Sequence, residues 1–401
     1  MLKLTGRRVG SHRRGRTAIV AAVVSCVAVV GVASAAVGGF DPFGNEQVGQ
    51  TYAGSVLLPT NQWISPLGSR VVLVDGSQKL PSGSATTNAR LVSSTLSPDG
   101  VYMAALSWND FQGFLTIINV KTGNIVQQVG TGSKTDPTIG DGTVAADGPL
   151  YSSDGKTLWF PQSSDLVRFT VDPSTGTVSS PQTVDLPTNV PGGASLPSGM
   201  ALDGTKLYVA LNGANTLGVI DTTQTDPTKA LIAQIPAGNA PRQVVLADNG
   251  TVAYVSNEGG RPSTSGDFTN LSDGTPIVSS RTTGGAITGT VSVVDLATGK
   301  EVKQIPAGLQ PTALYQHGQA LFVANSNDDS VSVIDERTNT VTQTVHTNPV
   351  PGATVGSYAN AISMPDASHV LVSIGRDDAI AVYRYRGLSR PMRYLGLLPT
   401  D

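Results

Sequence analysis

The chain is poor in the residues that most chemistry needs. Among 401 residues there is one cysteine and there are four histidines. Cys26 lies in an apolar N-terminal run, so the rest of the chain has no disulfide and no thiol nucleophile. His12, His317, His346 and His369 have no His or Cys partner at metal-ligand spacing. No G-x-S-x-G turn presents a serine nucleophile, and the pairs Gly192-Gly193, Gly259-Gly260 and Gly284-Gly285 open no helix that would cradle a phosphate. Charged residues make up only 14%, and basic density concentrates before residue 17. With a net charge of −3, the remainder offers no stripe for a phosphate backbone, which argues against nucleic acid as a partner.

What is present is a repeated β unit. In the stretch Leu321 to Val345, Leu321–Ala324 is apolar, Val331–Asp335 alternates and closes on an acid, and Thr340–Val345 is largely β-branched. Asn325–Ser330 is a polar hairpin loop, and Asp335 is placed to accept backbone N–H groups in an Asx turn. Copies occur from Leu207 to Gly238, around Tyr254 and Asp295, and more weakly from Val101, Lys156 and His369. About 40 residues separate Asp295 from Asp335, the length of a four-stranded propeller blade. Such a unit buries its faces only by stacking on copies of itself. The expected fold is therefore all-β: a β-propeller of four-stranded antiparallel blades. Six whole blades are expected, over 91–132, 148–186, 196–238, 239–308, 309–348 and 356–401.

Residues 1–36 read as an export signal or an uncleaved membrane anchor. A basic start (Lys3, Arg7, Arg8, Arg13, Arg14, Arg16) precedes an apolar run, Thr17–Val32, and the small-residue site Ala33-Ser34-Ala35. The expected location is extracellular or in the cell envelope, with any membrane contact confined to this segment. Residues 37–54 read as a linker and 55–401 as the propeller. Leu57-Leu58-Pro59-Thr60 recurs as Leu397-Leu398-Pro399-Thr400. One reading lets the N-terminal segment supply an outer strand that closes the ring; the other is a chance match.

The fourth repeat carries an insertion. Tyr254 to Asp295 spans about 41 residues where Phe322 to Asp335 spans about 13. The extra stretch, about 257–288, is polar and Gly-rich, with Glu258, Arg261, Asp267, Asp273 and Arg281. It is either a loose surface excursion or a functional loop. The hairpin loops between the first two repeated strands of each blade should emerge at one end of the ring. They carry Trp108, Asn109 and Asp110; Ser163, Ser164 and Asp165; Asn212 and Asn215; Asn257 and Glu258; Asn325, Asn327, Asp328 and Asp329; and Arg376, Asp377 and Asp378. Together with Arg261 they form a candidate ligand rim, one that could also hold Ca2+. Tight loops need Asn and Asp in any case.

The repeats YVSN and FVAN, each followed by VSVVD or VSVID and a Thr-Gly or Thr-Asn turn, resemble the bacterial YVTN-type (YncE-like) propeller repeat. The strings LLPTNQWISPLG, STLSPDG, SNEGGRP, GTVSVVDLATGK and PVPGATVGSYANA resemble the propeller half of exported proteins that pair a propeller with an alkaline-phosphatase-type phosphoesterase domain. That resemblance implies seven blades, the last built partly from chain beyond residue 401 and so incomplete here. The family's metal-binding catalytic domain is absent from these residues, so it carries over no catalytic residue and no cofactor. Three functions follow: an exported binding or scaffold module for a ligand or protein partner, expected to be monomeric; a propeller enzyme of the lactonase or lyase kind; or a truncated phosphoesterase-family product.

Overall fold

The computed structural model describes residues 51–52, 55–57, 63–64, 71, 73, 90–108, 113–130, 132–133, 136–140, 147–188, 193–247, 250–272, 274–347 and 356–400. The chain divides into two compact units, 1–66 and 67–401. In the first, Ser55–Leu57 pairs antiparallel with Thr51–Tyr52 and with Trp63–Ile64.

The second unit is a propeller of six four-stranded antiparallel sheets. Blade 1 comprises Arg90–Leu96, Tyr102–Trp108, Gly113–Asn119 and Ile125–Gly130. Blade 2 comprises Leu150–Tyr151, Thr157–Pro161, Asp165–Val171 and Val178–Asp185. Blade 3 comprises Pro197–Asp203, Lys206–Leu211, Thr216–Asp221 and Leu231–Pro236. Blade 4 comprises Asn239–Leu246, Val252–Gly260, Gly289–Asp295 and Lys300–Ala307. Blade 5 comprises Pro311–His317, Ala320–Asn325, Ser330–Asp335 and Thr340–His346. Blade 6 comprises Ala359–Asp366, His369–Ile374, Ala379–Arg384 and Arg393–Pro399. The first strands of blades 3 to 6 approach one another in succession, which places them nearest the axis. Among the described residues, no helix is long and apolar enough to cross a membrane.

The sixth blade draws all four of its strands from 359–399, so the recurring Leu397-Leu398-Pro399 is its own outer strand. Among the described strands, Ser55–Leu57 of the N-terminal segment pairs with its sequence neighbours. Leu58, Pro59 and Thr60 of the first LLPT string lie outside the described residues.

Local turns hold the register of blades 1 to 5. The residue closing the third strand is Asn119, Asp172, Asp221, Asp295 or Asp335, and its Oδ1 accepts the N–H of Thr122, Ser174, Thr223, Ala297 or Arg337. A carboxylate or amide is needed there because the tight turn leaves those donors without a ladder partner. Between blades the contact is apolar. Five clusters join successive pairs from blades 1–2 to blades 5–6; Phe322, Val333, Val372 and Tyr383, for instance, meet in the last. Among the described residues no sixth cluster returns from blade 6 to blade 1.

Candidate functional site

The structure sorts the expected rim into three groups. The first is structural. Asn257 and Asn325, the last residues of the YVSN and FVAN strings, are fully buried. Asn257 Nδ2 donates to Thr290 Oγ1 at 3.1 Å and Ser292 Oγ at 2.8 Å; Asn325 Nδ2 donates to Ser330 Oγ and Ser332 Oγ, both at 3.0 Å. Each amide therefore pegs its strand to the next one. Gly238 and Gly308 lie against these pegs so closely that a Cβ would fall 2.6 Å from the Asn257 or Asn325 Cγ. That approach explains the repeated Ile-Pro-Ala-Gly.

The second group latches one blade to the next. Asn215 and Asp329 hold left-handed backbone conformations, with φ of 52° and 48°. Each Oδ1 accepts a backbone N–H from the following blade: Ala240 to Asn215 and Tyr358 to Asp329, both at 2.8 Å. Ala240 and Tyr358 are themselves left-handed, at 49° and 58°. A left-handed turn swings the N–H out of its own sheet, and only a side chain from the neighbouring blade reaches it. Asp328 instead accepts the N–H of Leu309, in the connection leading into its own blade, at 2.6 Å. One oxygen of Asp328 and one of Asp329 are therefore engaged by backbone, and among the described residues no group of three or more His, Cys, Asp or Glu comes together.

Other expected residues stand apart. Asn109 and Asp110 lie outside the described residues, as does the side chain of Trp108. Arg376 stacks over the Tyr358 ring at 5.2 Å, while Asp377 and Asp378 sit on the same hairpin of blade 6. Arg261 grips Asp267 with two nitrogens, at 2.7 and 2.8 Å, inside the insertion. The guanidinium and the Thr264 donors hold the Asp267 carboxyl well below the usual range.

The third group converges. Glu258, Asn212, Gln310 and Asn327, from blades 4, 3 and 5, line one cleft of about 270 Å3. The insertion forms its other wall through Asn270, Ser272, Ile277 and Ser279. This insertion is an ordered ribbon: Thr269–Ser272 pairs with Thr275–Val278, and Ile277 and Val278 are buried. Asn239 Nδ2 ties its base through the carbonyls of Arg261 and Pro276, and Asn215 Nδ2 donates to Thr275 Oγ1. The same Asn215 that latches blade 4 thus also anchors the ribbon.

Among the described residues, Glu258 is the one ionisable group lining the cleft. Its carboxylate lies 3.3 Å from the Arg242 guanidinium, and the side chains of Gln310 and Asn212 also bond to it. Burial nevertheless pushes the Glu258 carboxyl up, reinforced by the field of Asp147, and these donors only partly offset the shift. The group is deep but not sealed: 17% of its side-chain surface stays accessible, against 26% for Arg242. Arg242 and Gln310 could not be singled out from sequence. They sit near the starts of the first strands of blades 4 and 5, and nothing in their local sequence marks them. Gln310 is left-handed, with φ of 51°, and occupies the position of Ala240 and Tyr358.

No known-family model and no curated protein matches the chain. Solved structures do. A candidate 6-phosphogluconolactonase from Bacteroides uniformis is similar at a TM-score of 0.54 and 16% identity, over 77% of this chain and 85% of that one. Virginiamycin B lyase from Staphylococcus aureus gives 0.52 and 12%, over 76% and 84%. The WD40 repeats of RRP9 give 0.54 and 11%, over 78% and 81%. The chain has a β-propeller fold. At these identities the likeness extends to the fold alone, which serves enzymes and scaffolds alike.

Proposed function

We propose that this chain is an exported binding propeller whose ligand, a small polar molecule, sits at the channel mouth between blades 3, 4 and 5 under the inserted ribbon. The reading rests on the cleft being built from three blades and an insertion, with side-chain amides and hydroxyls around one carboxyl. Among the described residues no aromatic ring lines it, which favours recognition by hydrogen bonding over stacking. The observation that carries the reading is Glu258, a carboxyl lining the cleft and held by side chains from three blades, Asn212, Arg242 and Gln310, with burial pushing it up. A buried carboxyl with a perturbed titration in a cleft is a candidate functional group. The resemblance to YVTN-type propellers joined to phosphoesterases supports an exported partner role for the domain.

A calorimetric screen of the full chain against neutral and charged polar metabolites tests this. Binding that is lost in Glu258→Gln and in Asn212→Ala supports the reading, and binding unchanged in both removes it.

The raised Glu258 carboxyl also favours a second reading, as a proton donor in a lactonase- or lyase-like reaction. Turnover of a lactone or ester that vanishes in Glu258→Gln while ligand binding persists would select it over binding alone.

A further inference from the structure

Blades 3 to 6 all begin their first strand in the same strained way. Leu196, Ala240, Gln310 and Tyr358 are left-handed, with φ of 47°, 49°, 51° and 58°. Register sets them at one position: the residues that follow, Pro197, Pro241, Pro311 and Ala359, pair with Leu211, Asn257, Asn325 and Ile374. The turn carries each N–H out of its own sheet toward the preceding blade. Three of the four are met there. Leu196 donates to the Ser163 carbonyl at 2.7 Å, Ala240 to Asn215 Oδ1 and Tyr358 to Asp329 Oδ1. The Gln310 N–H has no acceptor among the described residues.

The cause is Gly289. Thr216, Thr290 and Ser330 pair with Leu211, Asn257 and Asn325, so the residues just before them, Asn215, Gly289 and Asp329, hold equivalent places. Gly289 has no side chain to send across, and a Cβ there would run into the Gly308 carbonyl oxygen. Blade 4 therefore supplies no latch to blade 5. At this seam it supplies the insertion and the cleft instead, and Gln310 lines that cleft.

A donor without an acceptor thus stands beside an acceptor short of donors. Arg242 meets Glu258 through one oxygen, Oε1, at 3.3 Å, and the surrounding donors do not offset its burial. The Gln310 side chain reaches Glu258, so the Gln310 N–H and the carboxyl lie within one side-chain length of each other. Leu271, Ile277 and Ala286 give the cleft an aliphatic wall. Leu271 is 74% exposed on it, so an aliphatic group placed there would cover it.

Taking this cleft as the ligand site, we infer that its ligand is an α-amino acid with an aliphatic side chain. One carboxylate oxygen accepts the Gln310 N–H, standing where Asn215 and Asp329 send an oxygen at the other seams. The bond is charge-assisted, and backbone N–H groups are a common means of carboxylate capture. The ammonium donates to Glu258, and the side chain lies against Leu271 and Ile277. An α-amino acid carries all three groups on one carbon, which matches the closeness of the two polar points.

The test uses the full chain. In the free protein the Gln310 amide should exchange hydrogen at least tenfold faster than the amides of Ala240 and Tyr358, and saturating L-leucine should slow it. Calorimetry should find L-leucine bound at least tenfold more tightly than isopentylamine, which lacks the carboxylate, or isocaproate, which lacks the ammonium. Glu258→Gln should abolish the preference over isocaproate and leave the Gln310 amide of the free protein fast. A free-protein Gln310 amide as slow as that of Tyr358 overturns the inference. So does absence of saturable L-leucine binding, or equal binding of either analogue. If another polar metabolite then binds in a Glu258-dependent way, only the ligand class falls; if none binds, the cleft falls with it.

Discussion

Replacing Glu258 with Gln should stabilise the protein at pH 8. Glutamine copies the shape and hydrogen-bonding reach of the protonated acid, so the substitution removes the cost of holding a charge in that environment. Every unit by which the folded carboxyl lies above its ordinary value corresponds to about 1.4 kcal/mol favouring the neutral form. The direction is upward, because burial and Asp147 outweigh Arg242, Gln310 and Asn212. The pH dependence follows by linkage. Between the unfolded value near 4.5 and the raised folded value, the native state binds more protons than the unfolded state. Wild-type stability therefore falls as pH rises through that window and levels off above it. The variant lacks this step, so the two unfolding curves should converge near pH 4 and separate toward pH 8. For a unit this size about 1 kcal/mol moves Tm by about 2 °C, so scanning calorimetry at several pH values resolves the effect. Glu258→Ala is the contrast. It removes both oxygens, where glutamine keeps one that can still accept from its neighbours, and should cost about 2–3 kcal/mol. A Glu258→Gln protein less stable than wild type at pH 8 would refute the reasoning, because Glu258 would then be a net stabilising ion pair.

Gly308→Ala should destabilise by about 2 kcal/mol or more, since the new methyl would sit 2.6 Å from the Asn325 Cγ and interior overpacking costs about that much; urea unfolding measures it. Asp329→Ala should cost about 1–2 kcal/mol by orphaning the Tyr358 N–H, and hydrogen exchange should quicken first at the blade 5–6 seam. Calcium should leave Tm unchanged to within about 1 °C, because Asp328 and Asp329 already accept backbone donors; a larger rise would restore the rim as a cation site. A phosphomonoester assay with added divalent metal should show no turnover above buffer.

Much of the fold was legible because blade formation is a local code repeated many times. The acid closing the third strand of blades 2 to 5, the tight turns and the alternation in Val331–Asp335 each announce themselves within a few residues. The boundaries of blades 3 to 5 followed from that code. The insertion was visible as a break in spacing, but its order was not. The contacts that fix the ribbon come from Asn215 and Asn239, whose own sequence neighbourhoods read as ordinary turns. The site was less legible for a related reason. Asn and Asp serve as peg, latch and cleft wall within one set of loops, and composition does not separate Asn325, Asp329 and Asn327. Which of them faces the cleft depends on the angle between blades, and the partners of Glu258 come from three blades.

The most direct measurement replaces residues 262–286 with a short Gly-Ser turn and repeats the ligand calorimetry on the parent, the shortened chain and Glu258→Gln. The account predicts a shortened chain that still unfolds cooperatively within a few degrees of the parent, with binding lost in both altered proteins. Parent-like affinity in either one would contradict it.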